Sequence, residues 1–444
     1  MQNIPIKNLI TLSEFNKLFN EMIPEEKIGE IVERYHSGRG APCKFTAGEI
    51  IMGSVYHEIQ SVGTLGEHTR QVTGKVISDG GISQRRQGMD LKVFKFIIHE
   101  GLVPRAVAGK HPEAFYHGLR LVGIDGTEFS VPNTDSIEEE IEKAASWKGV
   151  VGFAKIGLCM ISELALHNPI GAAIGWEESE MSLAKKVFEQ IPPGSLLLGD
   201  RYYGVNKCIS ELIGLGLPKD NHFLFRVRSN LNSRLIQKFS DGSALMEIER
   251  WDDKTKIQLR EIRGKVRARN GKKIEVRLWT GLLDEKKYPA RELLKLYGQR
   301  WEQEIMTDEL KNKLHGGSLL KSQTPQTAVQ ELTAMLIAQA MVVRVRMTVA
   351  QHLKLPTLRV SFGKTLVQIQ ALWLFFEIGE GILSPKQTQA FTQRALEVIA
   401  RQILPKRRNR SCPRAVRKPL GPWPKLKKNS YQHGEFQYEI IPVS

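Results

Sequence analysis

Apolar residues recur three and four positions apart in TLSEFNKLFNEM, PEEKIGEIVERYH and TAGEIIMGSVYHEIQ, which predicts helices from residue 1 to about 110. Thr11 or Ser13 is placed to cap the first. The stretch GTLGEHTRQVTGKVISDGGISQRRQGMDLKVFKFIIHEGL reads as short helices around a turn at Asp79-Gly80-Gly81, with Ser83 capping a helix that begins at Gln84. A DNA-binding helix-turn-helix has this texture, and so has any small helical bundle. If the region binds DNA, Arg85 and Arg86 are the expected phosphate contacts.

Near residue 115 the pattern changes. GLRLVGIDGTEFSVP predicts a strand ending at Asp125, and GFAKIGLCMISELAL and GAAIGW predict two more. SLAKKVFEQI reads as a helix opening near Ser182. SLLLGD reads as a buried strand ending at Asp200, VNKCISELIGLG as a helix, and HFLFRVRS as a further strand. Strands alternating with helices imply a mixed α/β sheet with covered faces. From about 230 to 284 the helical spacing gives way to alternation, with turns at Asp241-Gly242 and Asn270-Gly271. This segment predicts a β-rich insertion dense in Arg and Lys. Helices resume in PARELLKLYGQRWEQEIMTDELKNKL, TPQTAVQELTAMLIAQAMVVRVRM and TLVQIQALWLFFEIG. The tail LPKRRNRSCPRAVRKPLGPWPKLKKNS has many cations, no acid and several prolines, and is expected to be extended and suited to phosphate contact.

The 444 residues carry a net charge of +16 and a pI near 9.6, a balance that points to a polyanionic partner, nucleic acid first. A hydrophobic content of 41% provides for a sizeable core. A membrane partner is not expected: the best apolar run, LTAMLIAQAMVV, stops at Arg344 and is too short to span, and MQNIPIKNLI lacks a signal-peptide pattern. Cys43, Cys159, Cys208 and Cys412 form no CxxC pair and no disulfide framework, which implies a reducing cytoplasm and argues against structural zinc.

Asp125 and Asp200 each stand where a predicted strand runs out, the edge at which sites form in open α/β sheets. Each could equally start a turn or cap a helix. A third carboxylate lies in YGQRWEQEIMTDELK. Tyr297, Arg300, Glu304 and Lys311 would fall within an arc of about 60° on a regular α-helix. A Tyr and an Arg beside a Glu suit phosphate: the carboxylate can hold a hard divalent cation, and the guanidinium can grip phosphate oxygens in a fork. Asp308 is the competing carboxylate. Three carboxylates in a basic protein point to two-metal phosphoryl transfer.

Asp125 in IDGTEFSVPNT, Asp200 in LLLGDRYYG, and Glu304 within Tyr297-x2-Arg300-x3-Glu304-x6-Lys311 resemble the DDE triad and the Tyr-Arg-Glu-Lys signature of the IS-four family of bacterial insertion-sequence transposases. The resemblance covers nearly the whole chain. It implies an α/β fold with an RNase H-like catalytic core and a β-rich insertion, preceded by a helical N-terminal domain. The expected division is 1–112 helical and DNA-binding, 113–229 and 285–380 catalytic, 230–284 insertion, and 381–444 a helical and basic tail for dimerisation or DNA contact.

The resemblance also implies that Asp125, Asp200 and Glu304 are catalytic and ligate two Mg2+ ions, with Mn2+ able to substitute, and that Tyr297, Arg300 and Lys311 bind phosphates. The implied partners are double-stranded DNA, as element terminal repeats and target, and a second copy of the chain. The implied setting is bacterial cytoplasm, at the nucleoid. Cut-and-paste transposition through a hairpin would follow. Some relatives stack a Trp of the insertion on a flipped base. Here Val276 falls at that place, while Trp279 and Trp251 are expected to be core. A catalytically silent DNA-binding protein and a metal-dependent nuclease without strand transfer are the alternatives.

Overall fold

The computed structural model describes residues 12–35, 45–60, 62–146, 149–214, 220–267, 273–405, 410–411, 432–433 and 437–442. Contacts divide the chain into two compact units, Met1–Ser195 with Trp301–Leu404, and Leu196–Arg300 with Pro405–Ser444.

The first unit opens with the expected helices, at Leu12–Met22, Glu25–Tyr35, Ala47–Ile59, Leu65–Thr73, Asp79–Gln87 and Leu91–Gly101. Thr46 with Glu49, and Thr64 with Glu67, close reciprocal capping boxes. Thr11 lies outside the described residues. Asp79-Gly80-Gly81 is not a turn before a helix at Gln84; it is that helix's first turn. Ser78, not Ser83, caps it by accepting from Gly81 N at 3.1 Å, and Asp79 accepts from Gly66 N at 2.8 Å.

Three antiparallel strands follow, in the order Asn168–Gly175, Lys155–Glu163, Leu119–Ser130. Helix Glu180–Phe188, capped by Ser179 rather than Ser182, covers the first two. Asp135 and the acids 138–140 form a short helix capped by Thr134.

The core of this unit is the helix Pro325–His352. It packs against Ala47–Ile59, Leu91–Gly101 and strand Asn168–Gly175. Its 28 residues correct the expectation that no segment is long and apolar enough to cross a bilayer, because the run continues past Arg344. Most of it is buried inside the fold, as a core helix is. Arg346, which interrupts the run, is buried as well and is paired with Glu309.

In the second unit, strand Ser195–Gly204 runs parallel to His222–Val227, and helix Asn206–Gly214 makes the connection. An antiparallel array continues through Lys273–Thr280, Lys256–Arg267, Ala244–Glu249 and Arg234–Lys238, the β-rich insertion expected from the alternation. Gly242, at φ +86°, forms the first expected turn; Asn270-Gly271 lies outside the described residues. The far half of Lys256–Arg267 also pairs with Gln437–Ile441, so this part of the tail adds to the sheet instead of running free. Most of the basic run 404–430 is outside the described residues, as are Cys43 and Cys412. Cys159 and Cys208 are buried and form no disulfide. The mixed α/β class with a helical N-terminal region is as expected.

Candidate active site

Asp125 does not end its strand. Leu119–Ser130 passes straight through it, pairing Asp125 with Met160 and Gly126 with Cys159. Gly126 mimics a turn in the sequence, but the ladder to Lys155–Glu163 holds it extended. Side chains alternate along a strand, so 123, 125 and 127 share a face. Over Gly123 lies Gln303: a Cβ at 123 would come 2.9 Å from its Oε1 and 2.4 Å from Leu164 Cδ2. Thr127 Oγ1 receives Lys311 Nζ at 3.1 Å. Asp125 therefore stands between the two points where segment 301–314 is fastened to the strand.

That segment is not one regular helix. Tyr297–Arg300 is a 3-10 turn, Trp301–Asp308 is α-helical, and Glu309–Leu314 is a π turn. The expected four-residue stripe is thus corrected. The 3-10 and π stretches advance by different angles per residue. Tyr297 and Arg300 belong to the second unit, Glu304 and Lys311 to the first. Gln303 is buried, with its amide oxygen against the Ser162 hydroxyl. Glu304 is half-buried on the same helix. Asp308 is exposed and accepts from Asn312 Nδ2 at 2.6 Å. Lys311 Nζ also donates to Glu128 O at 2.6 Å and lies 4.9 Å from the Phe129 ring centroid. Burial lowers the Lys311 pKa against the opposing pull of Glu128. His315 closes the π turn, its backbone N–H donating to Leu310 O at 3.1 Å.

Gly123→Ala should force this helix off the strand. Overpacking of this kind costs about 1–3 kcal/mol, to be read as a lower midpoint in urea unfolding. An unchanged midpoint would mean that the helix seat has slack.

In the second unit, the parallel ladder pairs Gly199 with Phe225 and resumes only at Gly204 with Val227. Asp200 thus does not end its strand but opens a bulge within it, and its Oδ1 accepts from Tyr202 N at 2.7 Å. Glycine is required where the chain returns: a Cβ at 204 would lie 1.9 Å from Arg226 O. Arg226 is the residue that sequence reading missed. Burial lowers its pKa, and Arg201, Tyr297, Arg300 and Asp200 all act on it. Three guanidiniums therefore gather around one carboxylate and one phenol. Burial, only partly offset by Arg300 and Arg226, pushes the Tyr297 phenol up to about 12, so it remains an O–H donor at neutral pH. Nothing in HFLFRVRS distinguishes Arg226 from its neighbour Arg228; the partners come from elsewhere in the chain.

Arg85 is exposed, but Arg86 turns inward. Its guanidinium donates to Gln330 Oε1 at 3.2 Å and Thr327 O at 3.0 Å, so it holds a helix of its own unit. Trp279 is fully buried and donates Nε1–H to Glu261 at 2.7 Å, a core residue as expected. Trp251 is 62% exposed beside Lys254 and corrects the expectation of a core residue. Among the described residues no three Asp, Glu, His or Cys side chains gather as a metal cluster. Of the three expected carboxylates, Asp125 and Glu304 lie in the first unit and Asp200 in the second.

Residues 116–341 match the family model described as "Transposase DDE domain". The chain belongs to that family. Within it, the chain is an IS-four family transposase, a DNA-cleaving and DNA-joining enzyme. The Escherichia coli (strain K12) protein "Transposase InsG for insertion sequence element IS4" is 25% identical over 333 residues, 72% of each chain. The "Putative transposase InsZ" of the same strain is 23% identical over 164 residues, 36% of this chain and 54% of that one. The solved piggyBac transposase synaptic complex with hairpin DNA aligns over 96% of this chain and 88% of that one, at 12% identity and a TM-score of 0.43.

Proposed function

We propose that this transposase excises its element and rejoins it by cut-and-paste phosphoryl transfer, with Asp125, Asp200 and Glu304 as the catalytic carboxylates of an RNase H-like core. The observation that carries the reading is the seat of Asp125 between the two fastenings of the Glu304 helix, on one face of strand Leu119–Ser130. All three donors are carboxylates, a set suited to hard cations, and they would hold two Mg2+ ions, with Mn2+ able to substitute. When bound, these ions supply positive charge to the attacking and leaving oxygens at phosphorus.

In this reading, water hydrolyses one strand at the element end and leaves a 3′-hydroxyl on it. That hydroxyl attacks the opposite strand, forming a hairpin and releasing the flanking DNA with its own 3′-hydroxyl. Water opens the hairpin, and the regained 3′-hydroxyl attacks a target phosphodiester, displacing its 3′-oxygen. Tyr297, Arg300 and Arg226 grip phosphates of the element end, Lys311 braces the strand beside Asp125, and Arg85 contacts backbone phosphate. Trp251 is the tryptophan of the insertion placed to meet a flipped base, since the Trp279 indole is taken up in the core.

Residues 1–112 serve DNA binding, 113–229 with 285–380 catalysis, 230–284 insertion contacts, and 381–444 dimerisation or DNA contact. The enzyme works as a homodimer bridging two element ends, in the bacterial cytoplasm at the nucleoid.

The test is a plasmid carrying the gene with its native flanks, incubated with the protein and Mg2+. Double-strand breaks at the element ends are expected. Binding without breaks would indicate a silent DNA-binding protein, and scattered breaks a plain nuclease. Arg226→Ala should weaken binding of an end duplex and reduce the slope of log K against log salt by about 0.9, one phosphate contact. An unchanged slope, measured by titration over a salt series, would remove Arg226 from the phosphate site.

A further inference from the structure

Beneath the Glu304 helix lies a buried charged cluster that the chemistry above does not use. His167 occupies the turn between strands Lys155–Glu163 and Asn168–Gly175, with φ +58°, and its side chain is fully buried. Its Nδ1 lies 2.7 Å from Glu309 Oε2, and its Nε2 lies 3.0 Å from Glu302 Oε2. An ionised carboxylate only accepts, so an imidazole engaged at both nitrogens by carboxylates donates twice, as an imidazolium. Glu309 has a second cation: Arg346 Nη1 lies 3.3 Å from its Oε1, and Arg346 Nε donates to Val360 O at 2.6 Å.

Two cations and two carboxylates therefore balance inside the first unit. Burial would discharge His167, but the two glutamates outweigh it and hold the pKa above the usual histidine value. A cluster of this kind is a weak source of stability compared with apolar packing of the same volume. What it provides is fixed geometry, because every member is oriented by another.

Its placement gives that geometry a use. Glu302 precedes Glu304 by two residues and Glu309 follows it by five, across the change from α-helix to π turn. One imidazole thus clamps two carboxylates whose backbones are about 10 Å apart along the helix axis. Between them, Gln303 is tied to Ser162.

We propose that His167 and Arg346 are positioning residues: through Glu302 and Glu309 they fix the rotation of segment 301–314, and so hold Glu304 and Lys311 against strand Leu119–Ser130. The inference rests on the reading of Glu304 as catalytic.

The test uses the full chain and a duplex cut from the gene's own flank. It compares His167→Gln and Arg346→Lys with wild type by three measurements: Kd for the duplex, single-turnover cleavage with Mg2+, and amide hydrogen exchange of the DNA-free protein. Both variants should bind with unchanged Kd and cleave about 100-fold more slowly, the loss that misplacement by about 1 Å produces. Exchange should quicken across 301–314 and stay unchanged in helix 325–352.

Wild-type cleavage by a folded His167→Gln protein would overturn the proposal. So would exchange that quickens throughout the unit, with binding and cleavage lost in proportion. If His167→Gln does not fold, Glu302→Gln carries the test, with the same exchange signature and a smaller loss of rate. Glu304→Ala serves as the control. If it cleaves normally, the catalytic reading fails by itself, and the exchange measurement still decides whether His167 holds the segment.

Discussion

Glu304→Ala is expected to lower strand cleavage at the element end by ~10⁴-fold or more, about 5.5 kcal/mol of barrier, while binding of the end duplex persists. The side chain is half-buried on the helix fastened to the Asp125 strand by Gln303 and Lys311. Truncating it removes a carboxylate and leaves those fastenings in place. Asp125→Ala and Asp200→Ala should match it. On the proposed reading, in which the three carboxylates act together, double replacements should be little worse than single ones. Asp308→Ala is the informative control: that carboxylate is exposed and occupied with Asn312, so its loss should be nearly silent. The measurement is single-turnover cleavage of a flank-derived duplex with Mg2+ or Mn2+, alongside a binding titration. If Glu304→Ala cuts normally and Asp308→Ala does not, the catalytic role passes to Asp308.

The sequence made legible whatever depends on local periodicity. The N-terminal helices, the three antiparallel strands and the alternating insertion all appear where 3.6- or 2-residue spacing places them. What it hid depends on distant partners. Gly126 after Asp125 looks like a turn, yet the ladder to Lys155–Glu163 keeps the backbone extended. The π turn after Glu304 has no signature of its own in the sequence; Glu309 and Lys311 within it meet His167 and Thr127, partners from distant segments. Arg344 made an apolar run look too short, although the helix continues and Arg346 is neutralised from residue 309. Arg226 and His167 stand out in no motif. Each acquires its meaning from groups brought to it by the fold. Arg86 is the reverse case: as a cation in a plausible DNA-reading helix it invited a phosphate, and the fold occupies it with Gln330 and Thr327.

Glu261→Ala should cost about 3–5 kcal/mol, the range for removing one partner from a buried charge set. Arg263 and Arg277 stand directly opposite each other on neighbouring strands, an unfavourable like-charge pair. Glu261, fully buried, accepts from Arg263 Nε, Arg277 Nε and Trp279 Nε1, each at 2.7 Å. Without it, two guanidiniums face each other unscreened and the indole N–H has no acceptor. Glu261→Gln keeps an acceptor but not the charge, and should lose less. The same cluster sets an acid limit. Burial raises the Glu261 pKa, but hydrogen bonds from Arg277 and Trp279 and the charges of Arg277 and Arg263 lower it further, and the net shift is downward. A carboxylate depressed in the folded state contributes stability that is fully present above its unfolded value, near 4.3, and is lost as pH falls through the folded value. Urea unfolding between neutral pH and pH 3 should therefore show wild type losing stability below about pH 4.3 more steeply than Glu261→Gln. Parallel curves would place the acid sensitivity in other carboxylates. Salt should matter little to the difference, because buried pairs are weakly screened.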